Sequence, residues 1–288
     1  PQDPDVLLPD FLPFVMQTET FHAHSIQQSK GSVNPYINFS DIAWYEFPLP
    51  PVDEQRRIAD LLWAADDAIV QYEKLLDSAQ TLLQSNVEEA IKIAQEHNSW
   101  TTLNDLVEKN RPITYGILMP GTGYPGGIPV IKVKDYPAGE IIEGNLLLTS
   151  PEIESEYKRS RLQSGDLLIS IRGTVGRLAF VPPSLDGANI TQDTARLSLQ
   201  NSVNHLYVRT MLESNHVQRQ IKSKITGLAV QGINIGELRK IEIPILNPEE
   251  QDKVSEQILQ IRNSIKEIEK HLDLSRNLKK QLLNSQLS

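Results

Sequence analysis

The sequence predicts an α+β protein in which one globular domain is flanked by two long helices that pack as an antiparallel coiled coil. Three observations carry this prediction. One sequence unit recurs at an offset of 196 residues. Heptad-like apolar spacing follows each copy of the unit, and a strand-rich segment lies between the copies. The length of 288 residues and the 39% hydrophobic content fit one large or two ordinary domains.

The repeat aligns residues 31–58 with residues 227–254 in one register without a gap. Its identical pairs are Gly31/Gly227, Ile37/Ile233, Asn38/Asn234, Pro48/Pro244, Glu54/Glu250 and Gln55/Gln251. Residues 1–47 are therefore expected to form the end of a first domain. Because the first residue is Pro1 rather than methionine, we expect the natural chain to begin upstream.

Each copy runs into a predicted long helix, at residues 53–97 within segment 48–98 and at residues 249–285 within segment 247–288. Acidic residues open both helices, where the helix dipole favours negative charge. Apolar residues then recur at heptad spacing, as in Ile58, Ala65, Tyr72, Ala79 and in Val254, Ile258, Ile261, Ile265, Ile268. Two such stripes most simply bury each other.

Residues 99–246 have a different pattern, with strand-like stretches separated by Gly and Pro turns. We expect strands at 129–133 and 166–171 and one helix at 206–223. Lys132 and Lys134 alternate with apolar residues, so both are expected on one face of a strand. This segment is predicted to be the α+β domain.

The charge is unevenly distributed along the chain. The formal net charge is −9, of which residues 1–99 carry −11, residues 100–246 carry +2 and residues 247–288 carry none. An acidic total argues against a nucleic-acid partner. The middle segment is the least unfavourable for DNA, but +2 is not a strongly basic patch, so charge alone leaves the question open.

Several classes of function lack their signature residues. With no cysteine, disulfides, thiol nucleophiles and thiolate metal sites are excluded, and a reducing compartment is favoured. The glycine pattern at 121–126 contains Pro125, which blocks the helix that a nucleotide site needs. No Walker A motif, metal-ligand spacing of histidines or convincing carboxylate partner for Glu156 occurs, so we expect neither catalysis nor metal binding. There is no signal peptide and no apolar run of about 20 residues, so a cytoplasmic chain without a membrane span is expected.

Polar residues of the middle segment are suited to nucleic acid. Residues 170–177 place Arg172, Thr174 and Arg177 at a turn, where arginine can fork onto guanine or a phosphate. Residues 189–194 add amide and hydroxyl groups that can read adenine or contact phosphate. Each loop taken alone is also compatible with an ordinary solvated loop, and Arg172 is the strongest single candidate.

These motifs, in this order, resemble the specificity (S) subunits of type I restriction-modification systems. The resemblance rests on Tyr115-Gly116-Ile117 with residues 127–135, on residues 162–179 and 187–191, and on residues 233–251 echoed at 48–55. It implies two target-recognition domains, each reading half of a split DNA sequence, separated by two long helices that set the spacing. This chain departs from the family in lacking most of the first domain.

The resemblance also implies that the chain is not an enzyme and holds no cofactor. Methyltransferase (M) subunits would use S-adenosylmethionine to methylate adenine, and restriction (R) subunits would consume ATP. Besides these subunits and double-stranded DNA, self-association of the shortened chain is possible. The alternative is a coiled-coil scaffold or regulator whose middle domain binds protein, and an enzyme with an unfamiliar site is the least favoured rival.

Two sets of contact residues follow. The expected DNA contacts are Tyr115, Lys132, Lys134, Arg172, Thr174, Arg177, Asn189, Thr191, Gln192, Gln231 and Asn234. The expected partner contacts at the two helix starts are Glu54, Gln55, Glu250 and Gln251.

Overall fold

The computed structural model describes residues 3–227 and 231–287. Pro1, Gln2, Leu228, Ala229, Val230 and Ser288, which the expected domain boundaries or the repeat alignment include, lie outside the described residues. The chain divides into two units, Pro1–Leu82 with Ile261–Ser288 and Leu83–Gln260. The boundary between these units crosses both long helices.

The helices and strands follow one another along the whole described chain. The helices are α1 (Leu12–Val15), α2 (Glu19–Gln28), α3 (Phe39–Ile42), α4 (Val52–Glu96), α5 (Pro151–Glu156), α6 (His205–Glu213), α7 (Asn215–Ser223), α8 (Ile235–Arg239) and α9 (Pro248–Leu287). The strands are β1 (Trp100–Thr102), β2 (Thr114–Tyr115), β3 (Ile128–Ile131), β4 (Leu147–Thr149), β5 (Leu167–Ser170), β6 (Leu178–Phe180), β7 (Asn189–Ile190), β8 (Thr194–Leu197) and β9 (Glu242–Pro244).

In the first unit, the long helices α4 and α9 pack against each other in antiparallel directions. The Tyr72 ring stacks on His271, with ring centroids 5.6 Å apart. Further back along α4, the Asp66 carboxylate pairs with Lys279 at 2.6 Å. A residue earlier in α4 thus contacts a residue later in α9. The two helices therefore run antiparallel, which confirms the prediction.

The first short helix, α1, packs on the beginning of α4. Phe11, Phe14 and Val15 bury their side chains against Ile58 and Leu62. Thr18 caps α2, since its Oγ1 accepts a hydrogen bond from the Phe21 N–H at 3.2 Å. These residues form a small apolar core of their own.

The second unit holds the predicted α+β domain, built from three sheets. The largest is antiparallel in the order β2-β8-β5-β6, the second has the order β4-β3-β7 with β3 parallel to β7, and the third pairs β1 with β9. The main core joins Leu167 and Ile169 of β5 to Tyr207 and Met211 of α6 and to Ala94 of α4. A smaller core around Tyr136 lies beneath the other side of β5.

The structure extends the repeat well beyond the matching letters of the sequence. Copy one, residues 8–62, and copy two, residues 204–258, share α2 and α7, α3 and α8, and a one-residue antiparallel bridge at each equivalent position, Lys30 with Tyr36 and Thr226 with Gly232. The N-caps of α2 and α7, Thr18 and Ser214, also occupy equivalent positions. The repeat is therefore a structural module of about fifty residues.

A buried glutamine fixes the start of each long helix. The Gln55 Nε2 group donates to the Pro50 carbonyl at 2.8 Å, and its Oε1 accepts from the Leu8 N–H at 2.9 Å. The Gln251 Nε2 group donates to the Leu246 carbonyl at 2.7 Å, and its Oε1 accepts from the Asn204 N–H at 2.9 Å. Each partner in copy two lies 196 residues after its equivalent in copy one.

The sequence predicted the two long helices correctly, but its predictions for one helix and one strand within residues 99–246 were wrong. The expected helix at 206–223 is two helices, because Ser214 is extended (ψ 147°) and its Oγ caps α7 by accepting from the Val217 N–H. The expected strand at 129–133 ends at residue 131. Lys132 instead opens a tight turn in which its N–H donates to the Asp135 carboxylate at 2.8 Å, so Lys132 and Lys134 do not share a strand face.

Candidate nucleic-acid interface

Three segments that are far apart in sequence converge beside Arg172 in the second unit. The Ile171 N–H donates to the Asp193 carbonyl at 2.8 Å, and the Ile233 N–H donates to the Ile171 carbonyl at 2.9 Å. The Gly173 N–H donates to the Gln231 carbonyl at 3.2 Å. Backbone hydrogen bonds thus hold these three segments together independently of their side chains.

Polar side chains line this junction, which we call the Arg172 surface and define as the exposed Arg172, Thr174 and Gln231 with the half-buried Gln192. The Arg172 Nη1 group donates to Gln192 Oε1 at 2.9 Å, and the guanidinium lies 4.0 Å from the Asp193 carboxylate. Thr174 and Gln231 are exposed beside it. A guanidinium held by an amide at one edge keeps its remaining N–H groups available for a base edge or a phosphate.

The turn that carries Arg172 depends on a glycine. Gly173 has φ +71°, in the left-handed region that residues with a Cβ rarely adopt. The Arg177 N–H donates to Ser170 Oγ at 2.8 Å and closes the turn. This closed turn presents Arg172 and Thr174 at its tip.

The two predicted lysines line a groove rather than a strand. Lys132 and Lys134 face the Thr122–Pro125 loop, which includes Tyr124, across a groove with a volume of 510 Å³. Arg177 contacts the segment that carries both lysines, because its Nη1 group donates to the Val133 carbonyl at 3.1 Å. The lysine groove, defined by Lys132, Lys134 and Tyr124, is a second cationic surface of the same unit.

Asn189 is a correction to the expected DNA contacts. Its side chain is fully buried, its Oδ1 accepts from Ser160 Oγ at 2.8 Å and its Nδ2 donates to the Tyr157 carbonyl at 3.2 Å. The amide that was expected to read a base instead ties the 157–160 turn to β7. Its hydrogen-bonding capacity is used inside the fold, so we remove it from the contact set.

Three other expected contacts hold positions next to the surface. Thr191 is buried beside Ile117, and Tyr115 is half-buried in β2 against the main core. Asn234 is exposed, but its Oδ1 caps α8 by accepting from the Glu237 N–H at 2.9 Å. Thr191 and Asn234 thus lie in the segments that join Arg172, whereas Tyr115 lies in β2 opposite Ala195.

The expected partner contacts at the helix starts also need correction. Gln55 and Gln251 are buried and satisfied by the backbone, so neither presents its side chain to a partner. Glu54 and Glu250 are half-buried. Glu54 forms a two-bond pair with Arg57, which lowers the pKa of its carboxyl, and Glu250 accepts from the Asn247 N–H at 3.2 Å.

One cationic cluster escaped prediction from the sequence. Arg111, Lys158, Arg159, Arg161, Arg196 and Arg239 line one pocket of the second unit. They come from four separate segments, so no local motif marks them. Only the charge of +2 for residues 100–246 hinted that cations gather there.

The described residues contain neither a metal-binding cluster nor a membrane-spanning helix. In residues 3–227 and 231–287, no three His, Cys, Asp or Glu side chains come together in a way that would hold a metal ion. Across the same ranges, no helix combines the length and apolar character that crossing a membrane requires.

Comparison with known families defines the class of this protein. The family model of the type I restriction modification DNA specificity domain matches residues 9–77 and 101–275. These two ranges make up most of the chain and include both copies of the repeat. The chain therefore belongs to the type I restriction modification DNA specificity family.

Particular relatives agree with this assignment. The chain is similar to the specificity subunit of the Escherichia coli type I restriction enzyme EcoBI, with 26% identity over 253 residues, 78% of this chain and 53% of that protein. It is also 21% identical over 278 residues to the MjaVIII specificity subunit of Methanocaldococcus jannaschii, covering 89% of this chain and 64% of the relative. The chain thus spans about half the length of the Escherichia coli relative.

Solved structures share the fold. The S subunit of a type I system from M. genitalium matches with a TM-score of 0.65 at 14% identity, over 99% of this chain and 74% of that one. The HsdS subunit from Thermoanaerobacter tengcongensis matches with a TM-score of 0.57 at 18% identity, over 96% and 69% of the two chains. At these identities the likeness concerns the fold.

Proposed function

We propose that this chain is a non-catalytic DNA-recognition subunit of a type I restriction-modification complex, in which residues 99–246 read one half of a split DNA sequence. The observation that supports this most directly is the Arg172 surface, where three segments join to present an arginine, a hydroxyl and two amides. Membership of a DNA specificity family agrees with it. The net charge of −11 lies in residues 1–99, away from this segment of the sequence.

The chemistry of the Arg172 surface suits base reading in the major groove. An arginine fork matches the two acceptors of guanine, and a glutamine amide matches the donor and acceptor of adenine. Arg172 and Gln192 already share a hydrogen bond of 2.9 Å, so each limits the rotamers of the other before DNA arrives. Preorganised side chains lose less entropy on binding.

The residues of the proposed interface divide by role. Arg172, Thr174, Gln192 and Gln231 are proposed to meet bases, while Lys132, Lys134 and Arg177 are proposed to meet the sugar-phosphate backbone from the lysine groove. Tyr115, Thr191 and Asn234 are retained as residues that position these loops.

The two long helices are proposed to set the half-site spacing and to dock methyltransferase subunits. Within the first unit, a groove of 670 Å³ between α4 and α9 is lined by Leu75, Ala79, Leu82 and Ile268. Leu75 and Leu82 are about half exposed there. Neighbouring exposed apolar side chains of this kind mark protein-binding surfaces.

In this proposal the partner subunits carry out the chemical reactions. M subunits use S-adenosylmethionine, R subunits use ATP, and this chain needs no cofactor.

Residues 1–47 are proposed to be the end of a first target-recognition domain. Copy one reproduces the hydrogen bonds of copy two, whose residues close the 99–246 domain. Val33, Phe39 and Trp44 are exposed on copy one, and self-association of two chains would use this face. Because the proposed ligand is chromosomal DNA, the cytoplasm remains the proposed location.

A pull-down followed by a gel shift tests the proposed function. The chain should retain its M subunits on a column, and the complex should shift one duplex sequence in preference to a scrambled duplex. The affinity should fall steeply as salt rises, because phosphate contacts release counterions. A protein-binding scaffold would instead show no sequence preference and no such salt dependence.

The docking groove has its own matched pair of variants. Leu75→Asp places a charge in the groove and should abolish capture of the M subunit. Leu278→Asp makes the same change at a leucine of α9 that is exposed and outside the groove, and should leave capture intact. Equal retention of the M subunit by both variants would refute docking at the groove.

A further inference from the structure

A pocket in the second unit is lined by several basic residues and by no acidic residue. It has a volume of 390 Å³ and lies between residues 110–114, the 158–163 turn, β8 and α8. Six of its twelve lining residues are Lys or Arg, and none of these twelve is acidic. We call it the basic pocket and define it by those cations: Arg111, Lys158, Arg159, Arg161, Arg196 and Arg239.

Only two of the six cations have a carboxylate partner. The Arg111 guanidinium pairs with the buried Asp166 through two bonds of 2.7 and 2.9 Å. The Arg161 Nε group donates to Glu154 at 2.7 Å, and this arginine holds the pKa of the Glu154 carboxyl below its usual range. In the described ranges, no carboxylate lies within ion-pairing distance of the other four cations. The basic pocket therefore carries a surplus of positive charge.

Arg196 lies at the most buried position of this cluster, with only 3% of its surface exposed. Its Nη1 group donates to the Arg159 carbonyl at 2.7 Å, and its Nη2 group donates to the Pro112 carbonyl at 3.1 Å. Burial, reinforced by the charge of Arg111, lowers the pKa of Arg196 from its ordinary value. A cation buried beside other cations is costly unless an anion compensates it.

Two buried donors beside the pocket have no acceptor within the described residues. Among the described residues, four buried side-chain polar atoms lack a hydrogen-bond partner, and two of them are Arg196 Nε and Arg239 Nε. Arg239 uses its Nη2 group to donate to the Ile113 carbonyl at 2.9 Å, which fixes its guanidinium at the pocket. Buried N–H donors almost always have an acceptor in native proteins. Both of these donors belong to residues that line the same cavity.

We propose that the basic pocket binds a phosphate group. Guanidinium groups present several N–H donors in a plane that matches the oxygens of phosphate, and several arginines together neutralise its charge. The exposed cations Lys158, Arg159 and Arg161 surround the entrance, while Arg196 and Arg239 lie deeper. The phosphate comes either from the DNA backbone or from a free phosphate compound, and both sources present the same oxygens.

The position of the pocket is compatible with a backbone phosphate of bound DNA. Arg196 pairs across the sheet with Leu168 of β5, and Arg172 lies four residues further along that segment. Arg196 and the turn that carries Arg172 are thus both joined to β5. This assignment to DNA rests on the proposed function, whereas phosphate binding itself does not.

Two variants and one control test the proposal with the full chain. Arg159→Ala removes an exposed cation at the entrance, and Arg239→Gln removes a deeper one. Lys240→Ala removes the charge adjacent in sequence to Arg239 but outside the pocket, where its Nζ group pairs with Glu237. Arg196 is left unchanged because its burial makes loss of folding the expected result of substitution.

The first arm uses inorganic phosphate against chloride at matched ionic strength. Phosphate should raise the melting temperature of the unaltered chain in proportion to the logarithm of its concentration, since it binds the folded state. Arg239→Gln should lose this rise and Lys240→Ala should keep it.

The second arm uses a fluorescent duplex of arbitrary sequence over a series of salt concentrations. If the pocket holds a backbone phosphate, Arg159→Ala should reduce the slope of log affinity against log salt by about one, with base preference and the Lys240→Ala control unchanged. Phosphate stabilisation with an unaltered slope would assign the pocket to a free phosphate compound. If the chain binds no DNA, the proposed function fails while the first arm still decides the pocket. Absence of both effects overturns the proposal.

Discussion

Copy one and copy two have the same scaffold but different surroundings. In copy two, β9 pairs with β1 and Ile243 is buried in the main core. In copy one, the equivalent Phe47 is half-buried against a small cluster, and no strand is formed at residues 46–48. Interactions within the module are thus repeated, while those with a globular domain are not.

The surfaces of the two copies show the same contrast. Phe39 is 82% exposed and Trp44 is 81% exposed in copy one. The equivalent residues in copy two are Ile235, which packs against the main core, and Lys240, which pairs with Glu237. The hydrogen bonds of the module thus occur in both copies, and we expect packing against the main core to add stability to copy two.

The largest expected loss of stability comes from residues that pack copy two into the main core. Ile243→Ala should lower the free energy of unfolding by about 3–4 kcal/mol, because it opens a cavity in a fully buried site. The equivalent Phe47→Ala should cost only about 1–2 kcal/mol, since that ring is already partly exposed. Urea denaturation, with hydrogen exchange of peptides from each copy, measures both. Equal losses would contradict the contrast between the copies.

The repeated glutamines should behave alike in the two copies. Gln55→Leu leaves two backbone carbonyls and one N–H without their side-chain partner, and Gln251→Leu leaves one of each, at a cost of about 2–3 kcal/mol in either copy. Gln257→Leu, an exposed position on α9, is the matched control and should change stability by less than about 0.5 kcal/mol. Hydrogen exchange at the start of each long helix should report the loss locally. A large cost in only one copy would show that the hydrogen bonds are not equivalent in energy.

The smallest expected effect concerns equivalent acids, Asp41 and Glu237. Hydrogen bonds from Lys224 and Lys240 lower the pKa of Glu237 to about 2, and a hydrogen bond from Lys30 lowers the pKa of Asp41. Because both folded-state values lie below the unfolded ones, the stabilisation is complete above a pH of about 4.3 and is lost as the pH falls towards 2.

Carboxyl carbon shifts measured by NMR against pH test this expectation. Lys224→Met should raise the pKa of Glu237 towards its ordinary value, and Lys30→Met should do the same for Asp41 only. A Glu237 carboxyl that titrates at its ordinary pKa in the unaltered chain would show that the ion pairs do not persist in solution.

Local patterns in the sequence predicted the long helices and the repeat, because both depend on spacing along the chain. The break at Ser214 was missed because its neighbours continue a helical apolar pattern, while the Ser214 hydroxyl caps the following helix. The repeat was predicted only from residue 31 onwards. Before residue 31 the two copies differ in sequence, but Thr18 and Ser214 still make equivalent N-cap hydrogen bonds.

The site was predictable only in part, for a different reason. Arg172 was identified from its own turn, but its proximity to Gln231 depends on pairing between distant segments. The amide of Asn189 suggested adenine reading, and Gln251 stands in the repeated motif at a helix start, yet both satisfy backbone or side-chain partners inside the fold. The basic pocket collects residues from 111 to 239, and no spacing along the chain could indicate it.

Selection of bound duplexes from a randomised DNA pool tests sequence reading by residues 99–246 most directly. The unaltered chain with its M subunits should enrich one half-site sequence. Arg172→Ala should weaken binding to that sequence by about 1–3 kcal/mol and relax the preference at one position. Arg172→Lys, which keeps the charge but loses the fork, should relax the same position. Enrichment of the same sequence, with equal affinity, by all three proteins would contradict a role for Arg172 in reading DNA.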